Sequence, residues 1–379
     1  MALLYAIGDA LVDKEEIHAE VTSGKLQEFQ KALASGRGSA NIKFLSGTAN
    51  EKNVLGSLIS ATGKPIDFEP IGIGKPLTVQ IRHIYTGNVD DGLWSKNDML
   101  VASAMRSVST FDAAPRAVNF LVHKTPSNRN FRTVNATEKG TSLIYYTHSL
   151  AQVSSVITVE VMFSAFDNDV FDAVSQAFSA AAGIPVFAPA SGYLVATGLV
   201  TKLLGSIGKK LFNGTPALKQ TEEITFITPG SLEAIARFVL LTSDGIPQET
   251  LKDYKVNKQG ALARVNDENQ LYDGEYPYVV ISLDGRQVDE YKSFTSTAAS
   301  AALLDKFYNI TEGGSQPLTM VVDAFKLYND MKFRDQAINQ ADKLKEIDKA
   351  TDDYKSQLSL YNAYVKNIGT KELRPPDIS

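Results

Sequence analysis

Five short segments between residues 77 and 163 have the apolar patterns of β-strands, and they constrain the fold more than any other feature of the sequence. In the first, Leu77, Val79 and Ile81 alternate with polar residues, which is the two-residue period of a half-buried strand. Each segment is bounded by residues that favour turns. Short strands at this spacing predict an antiparallel β-sandwich. The other four segments are 99–105, 117–122, 143–147 and 156–163.

Helical patterns interrupt this β-rich region, so the predicted fold class is α+β. The apolar residues of segment 169–182 recur at helical spacing, and a second helical stretch covers about residues 192–212. Strand patterns then return at 224–227, 238–241 and 278–283. The sequence therefore predicts an antiparallel β-sandwich-like core with helical insertions.

The C-terminal part has a charged helical pattern that follows a Gly-Ser link at residues 311–317. Its apolar residues recur at alternating steps of four and three, as in coiled coils. Residues 350–353 contain no Gly or Pro, which favours a continuous helix, with a hairpin as the alternative. We expect a C-terminal helical arm that self-associates or packs back on the body of the protein. The apolar stripe that makes this contact is Tyr354, Leu358, Tyr361, Val365 and Ile368.

Changes in composition divide the chain into four predicted segments. Gly and Pro are concentrated at residues 71–76 and mark a boundary before the first clear strand. The predicted segments are an N-terminal region (1–70), a β-sandwich-like domain with a helical insertion (71–245), an α+β extension (246–315) and the C-terminal helical arm (316–379).

Composition excludes several classes of function. The chain has no cysteine, which rules out disulfides, thiolate metal sites and cysteine nucleophiles. A net charge of -5 gives no chain-wide attraction to nucleic acid. Pro185 and Pro189 interrupt the least polar stretch, 183–201, so we expect no membrane span. The first residues lack the basic region of a secretion signal, and this predicts a cytoplasmic protein.

Motifs for catalysis are missing from the sequence, which contains neither a G-x-S-x-G elbow nor a phosphate-binding glycine loop. His83, His123 and His148 fall on or beside different predicted strands without metal-ligand spacing. The leading hypothesis is therefore a non-enzymatic interaction or assembly protein whose partner is itself or another protein. An enzyme with an unrecognised site is an alternative, and it requires a pocket that unites one of these histidines with carboxylates.

Two acidic loops follow or precede predicted strands and suggest a metal site. The first loop spans residues 90–98, and the second spans residues 167–169. Calcium takes six to eight oxygen ligands, so carboxylates from two loops at one end of a sandwich are suitable donors. Ordinary turn residues are the alternative, because Asp is favoured in turns for backbone reasons. The candidate calcium ligands are Asp91, Asp98, Asp167 and Asp169.

This arrangement resembles the calcium- and phospholipid-binding C-two type β-sandwich over about residues 77–172. In that family a strand is joined to an Asp-bearing loop that resembles Ser95-Lys96-Asn97-Asp98, and a later strand ends in an Asp-x-Asp loop that resembles Asp167-Asn168-Asp169. The chain departs from the family because it lacks the aromatic residue after the Asp and has a helical insertion after Asp169. The resemblance implies calcium as the cofactor and calcium-dependent binding of lipid or protein, with peripheral lipid contact.

Overall fold

Two antiparallel sheets pack face to face around one apolar core in the computed structural model of the chain. Their inward side chains alternate along each strand, as the two-residue period requires. The structure describes residues 2–7, 10–22, 58–59, 65–66, 68–89, 98–106, 117–132, 142–166, 168, 171–172, 216–227, 234–243, 245–288 and 316–378.

The described strands form four sheets, of which the two smallest are the pairs β3–β4 and β13–β14. In chain order the strands are β1 (Ala2–Ile7), β2 (Ala10–Asp13), β3 (Leu58–Ile59), β4 (Pro65–Ile66), β5 (Leu77–Tyr85), β6 (Asp98–Met105), β7 (Ala117–Val122), β8 (Asn130–Arg132), β9 (Leu143–Thr147), β10 (Ser154–Ser164), β11 (Leu218–Thr225), β12 (Phe238–Thr242), β13 (Tyr254–Val256), β14 (Leu262–Arg264) and β15 (Tyr278–Asp284).

The helices of the described residues are few and lie mostly at the C-terminus. None of them is both long and apolar enough to cross a membrane. They are α1 (Lys14–Thr22), α2 (Gln248–Leu251), α3 (Gln316–Leu344) and α4 (Asp352–Asn367), followed by a short 3-10 helix, Lys371–Leu373.

The larger sheet has seven strands in the order β2-β1-β12-β15-β5-β8, and β9 also pairs with β5. All of its pairings are antiparallel. β1 and β2 come from the predicted N-terminal region, and β15 comes from the predicted α+β extension. The sheet thus joins three of the four segments into which the sequence was divided.

The smaller sheet has the order β11-β10-β6-β7 and supplies the other half of the core. Val101 of β6 and Val161 of β10 are directly paired, and both face the larger sheet. The side-chain amide of Asn119 donates to the carbonyl oxygen of Leu143 at 3.0 Å, which links the two sheets through a buried hydrogen bond. An α+β class with an antiparallel, sandwich-like core is confirmed.

The strands predicted between residues 77 and 163 are all present, and Ala117–Val122 and Leu143–Thr147 have the predicted bounds. One later prediction was misplaced, because the strand expected at 224–227 is β11, Leu218–Thr225. Most of the predicted helical insertion lies outside the described residues. Within it, Phe171 and Asp172 are helical.

The C-terminal segment is a helical hairpin, so the prediction of a continuous helix was wrong. α3 ends at Leu344, and Thr351 then adopts an extended backbone with φ -85° and ψ 155°. The hydroxyl oxygen of Thr351 accepts a hydrogen bond from the backbone N–H of Tyr354 at 3.1 Å, which caps α4. The connection between Leu344 and Thr351 thus reverses the chain without Gly or Pro, and Thr351 caps the helix that follows.

The hairpin is fixed to the body of the protein by polar contacts near the end of α4. The side-chain amide of Asn367 donates to the carbonyl oxygen of Ser149 at 2.6 Å and accepts from the hydroxyl of Thr147 at 3.0 Å. Ala151 of the body is part of the hairpin's apolar cluster, and Ile73 packs against it. The C-terminal arm is therefore packed back on the sandwich.

Candidate functional site

Three strand termini meet at one end of the smaller sheet, where the sequence predicted a metal site. Asp98 begins β6 and is paired with Ser164 at the end of β10. Val122 ends β7 and is paired with Met99. The chain therefore enters β6 and leaves β7 and β10 at the same end of the sheet.

Asp98 is the centre of this strand-end site, and its side chain is 2% exposed. Its Oδ1 accepts the backbone N–H of Lys124 at 3.0 Å, and its Oδ2 accepts the backbone N–H of Phe166 at 2.9 Å. Lys124 has a φ of 50°, a left-handed conformation that is uncommon for a residue with a Cβ. One carboxylate thus holds the turns that follow β7 and β10.

His123 completes the strand-end site. Its Nδ1 lies 2.8 Å from Oδ1 of Asp98, and its side chain is 43% exposed. The ring makes an edge contact with Phe171 at 4.9 Å between centroids. A buried carboxylate is costly unless hydrogen bonds or an opposite charge satisfy it, and here two N–H groups and an imidazole do so. The contact also fixes the orientation of the imidazole, which acid–base chemistry would require.

The other predicted calcium ligands, Asp91, Asp167 and Asp169, lie outside the described residues. Among the residues that are described, no three His, Asp or Glu side chains form a group that could hold a metal ion. Both oxygens of Asp98 already accept N–H groups of the protein. In the described part of the site, the carboxylate of Asp98 therefore holds backbone groups of two turns.

The histidines are spread over separate places in the fold. His83 lies on β5 of the larger sheet, whereas His123 follows β7 of the smaller one. His148 follows β9 and contacts the ring of Tyr146 at 5.2 Å between centroids. His123 thus contacts the carboxylate of Asp98, and the histidines of the described residues do not converge in a metal-binding group.

His83 is fully buried on β5 of the larger sheet. Its Nε2 is 2.8 Å from Oδ1 of Asn130, and its ring stacks on Tyr278 at 5.6 Å between centroids. Nδ1 has no hydrogen-bond partner in the described part of the protein. Burial is the largest cause that lowers the pKa of His83, the hydrogen bond to Oδ1 of Asn130 raises it, and the positive charge of Arg132 lowers it, so that the pKa is about 4. The imidazole is therefore neutral at physiological pH.

A tyrosine cluster surrounds the same face of the larger sheet. The hydroxyl of Tyr85 donates to the carbonyl oxygen of Gly274 at 2.8 Å, and burial raises the pKa of Tyr85 to about 12. The hydroxyl oxygen of Tyr278 accepts the backbone N–H of Leu262 at 3.1 Å, and burial also raises the pKa of Tyr278. These hydroxyls satisfy backbone groups of the connection from β12 to β15, and their role is structural.

The predicted oligomerisation stripe lies inside the hairpin. Tyr354, Tyr361 and Ile368 are buried, while Leu358 and Val365 are half-buried against the same cluster. The hydroxyl of Tyr361 also donates to the carbonyl oxygen of Pro376 at 2.6 Å. The stripe is thus covered by the chain's own residues. The residues of α3 and its flank that cover it are Phe333, Ala337 and Leu344, with Ala341 and Ile347 packed beside them.

A second apolar line on α3 faces away from this cluster, and the sequence did not single it out. Leu327, Met331 and Ile338 are 52%, 40% and 37% exposed. Their steps of four and seven residues place them on one side of the helix. The spacing is visible in the sequence, but the buried positions Phe333 and Ala337 interleave with it.

Comparison with known proteins does not assign the chain to a family. No protein-family model matches it. A search of curated proteins found no match either.

Proposed function

We propose that this chain is a non-enzymatic interaction protein that assembles with further copies of itself through the outward side of its C-terminal hairpin. The observation that carries the proposal is the exposed line Leu327, Met331 and Ile338. Exposed apolar side chains that form a continuous line favour protein contact more than scattered ones do. The buried face of the same helix fixes this line to a rigid body.

The charged residues beside the apolar line support its pairing with the same line of a second copy. In an antiparallel pair of α3 helices, Leu327 of one copy can oppose Ile338 of the other, and Met331 then opposes Arg334. Asp335 lies one turn beyond Met331, so the same register brings Arg334 next to Asp335 of the second copy. Asp335 is exposed and Arg334 is partly exposed. The register therefore buries apolar side chains and pairs opposite charges.

We expect the double substitution Leu327→Gln and Met331→Gln to dissociate the assembly without unfolding the hairpin, because both side chains point to solvent in the single chain. The pair loses two apolar side chains from each copy, four in all, which should cost at least about 2 kcal/mol, a roughly 30-fold or greater weakening of the dissociation constant. Light scattering coupled to size exclusion, over a range of concentrations, measures the mass. Val153→Gln is the matched control, because Val153 is 45% exposed and lies outside α3.

A double variant with the mass of the unaltered chain at every concentration would contradict the proposal, and so would a chain that is monomeric throughout. Substitutions in the stripe at Leu358 or Val365 are unsuitable for this test. Both side chains pack within the hairpin, so their replacement would disturb folding and association together.

A calcium-dependent module that binds lipid or protein is a second candidate, favoured by one observation. The described residues that flank the acidic segments 90–97 and 167–169 lie together, because Asp98 is paired with Ser164 and accepts the backbone N–H of Phe166. Carboxylates from both segments would supply hard oxygen ligands there. The strand-end site would then anchor the loops through Asp98 rather than offer it as a ligand.

Under this second candidate, calcium raises the unfolding temperature of the unaltered chain, because a ligand that binds the folded state stabilises it. At 100 times the dissociation constant the gain is about 2.7 kcal/mol. The substitutions Asp167→Asn and Asp169→Asn together should remove the gain, whereas Asp172→Asn, outside the candidate set, should retain it. Thermal unfolding with and without calcium is the measurement, and identical curves for the unaltered chain would eliminate this candidate.

A further inference from the structure

The outer edge of β11 carries backbone groups with no strand partner among the described residues. β11 is the edge strand of the smaller sheet and pairs on one side with β10. The backbone N–H of Phe226 donates to the carbonyl oxygen of Val153 at 2.8 Å. This bond identifies which residues of β11 direct their backbone groups towards β10. Because hydrogen bonding alternates along an antiparallel pair, Lys219, Thr221 and Glu223 direct their N–H and C=O groups outward.

The open part of this edge has defined limits. The backbone N–H of Thr225 also points outward, but it donates to the hydroxyl of Tyr5 at 2.9 Å. The side chains of Lys219, Thr221 and Glu223 are exposed, and within the described part of the chain their outward backbone groups have no partner. The unpaired edge is therefore a three-residue ladder centred on Thr221.

We propose that this edge pairs antiparallel with the same edge of a second copy, about a two-fold axis at Thr221. Three outward residues on each copy would then form about six backbone hydrogen bonds. The four-stranded sheets of two copies would become one continuous sheet. The surface lies on β11 and is separate from the hairpin line on α3.

Charge complementarity selects the second copy and the register. Pairing about Thr221 places Lys219 of each copy directly opposite Glu223 of the other. Opposite charges in such cross-strand positions are favourable. A shift of two residues in one direction pairs Lys219 with Thr221, and a shift in the other direction requires the N–H of Thr225 that Tyr5 already binds. The register centred on Thr221 alone uses the whole ladder.

Existing ion pairs hold the two charged side chains in position. Nζ of Lys219 lies 3.1 Å from Oε1 of the buried Glu160. Oε2 of Glu223 lies 2.6 Å from Nζ of Lys14. Side chains at odd-numbered positions of β11 share one face of the sheet, so these contacts orient Lys219 and Glu223 on the same side. Charges on an edge strand commonly prevent pairing with other chains. Here their order along the strand is complementary to itself.

A single cysteine tests this pairing without ambiguity, because the full chain contains none. In the proposed register the two copies of residue 221 face each other at about 5.5 Å between Cα atoms, whereas two copies of residue 219 are about 14 Å apart. We expect Thr221→Cys to form a covalent dimer with a short bis-methanethiosulfonate reagent. Lys219→Cys is the control and should cross-link at least about tenfold more slowly, because its thiols are not held together. A mixture of Lys219→Cys and Glu223→Cys chains should give the mixed dimer.

Equal cross-linking of the Thr221→Cys and Lys219→Cys chains, or none in either, would overturn the edge pairing. The result of this cross-linking experiment does not depend on whether the chain also associates through α3. Cross-linking through residue 221 should persist when Leu327→Gln and Met331→Gln are added, since the two surfaces do not share residues. Far-ultraviolet circular dichroism of each variant checks that the sheets are retained.

Discussion

Replacing Asp98 with Ala is expected to destabilise the protein by about 3–5 kcal/mol, because it breaks a buried polar network rather than a surface contact. The N–H groups of Lys124 and Phe166 lose their acceptor, and each unsatisfied buried group costs about 1–3 kcal/mol. Asp98→Asn should cost less, since one amide oxygen still accepts one of the two N–H groups. Urea unfolding followed by tryptophan fluorescence and circular dichroism measures the change.

Asp172→Asn is the control for charge at the same end of the molecule, because Asp172 is exposed. It should leave the unfolding midpoint unchanged. If Asp98→Ala unfolds at the same urea concentration as the unaltered chain, then Asp98 does not hold the turns after β7 and β10. A midpoint shift without a change in slope would indicate an effect on stability alone.

The second large effect is a loss of stability in acid that depends on His83. Its pKa is lowered from 6.5 to about 4 in the folded protein. The unfolded chain therefore binds a proton at a higher pH than the folded chain does. Stability from neutral His83 is complete above pH 6.5 and decreases as the pH falls towards 4. A difference of about 2.5 in pKa corresponds to roughly 3 kcal/mol.

The charged neighbour of His83 strengthens this expectation, because Arg132 on β8 repels a second positive charge. His83→Gln should flatten the dependence of the unfolding free energy on pH between about 6.5 and 4. His148→Gln is the control, and its curve should retain the slope of the unaltered chain. Urea unfolding at a series of pH values provides the data. A His83→Gln chain with an unchanged slope would refute the assignment.

The sequence predicted individual strands well where the apolar period was regular. β7 and β9 have the predicted bounds, because turn residues flank a short apolar run at each end. β11 was misplaced because four of its eight residues are exposed polar side chains, as suits an edge strand. The sequence also did not predict which strands pair with each other. The contact of β1 with β12 joins residues that no local pattern relates.

The sequence singled out Asp98 but not the groups that its carboxylate binds. Asp98 was singled out as an acid beside a strand, and it begins β6 opposite Ser164, near the end of β10. Its partners, the N–H groups of Lys124 and Phe166, are backbone groups that any residue type would supply. A sequence pattern therefore cannot distinguish a buried, satisfied carboxylate from a metal ligand.

The C-terminal hairpin was also predicted only in part. The stripe from Tyr354 to Ile368 was correctly read as an apolar face that must be covered. The sequence left open whether a second copy or the chain itself covers it. In the structure the chain itself covers it, because α3 ends at Leu344 and α4, capped by Thr351, packs back against α3.

The pairing of β1 with β12 has a consequence for how the protein is made. Ala2 is the register partner of Thr242, so β1 cannot pair with β12 until about 240 further residues have been synthesised. At synthesis rates of about 5–20 residues per second, β12 is made roughly 12–50 seconds after β1. Contacts between residues so distant in sequence also form slowly. During synthesis, β1 and β2 therefore remain separated from the rest of the larger sheet until β12 has been made.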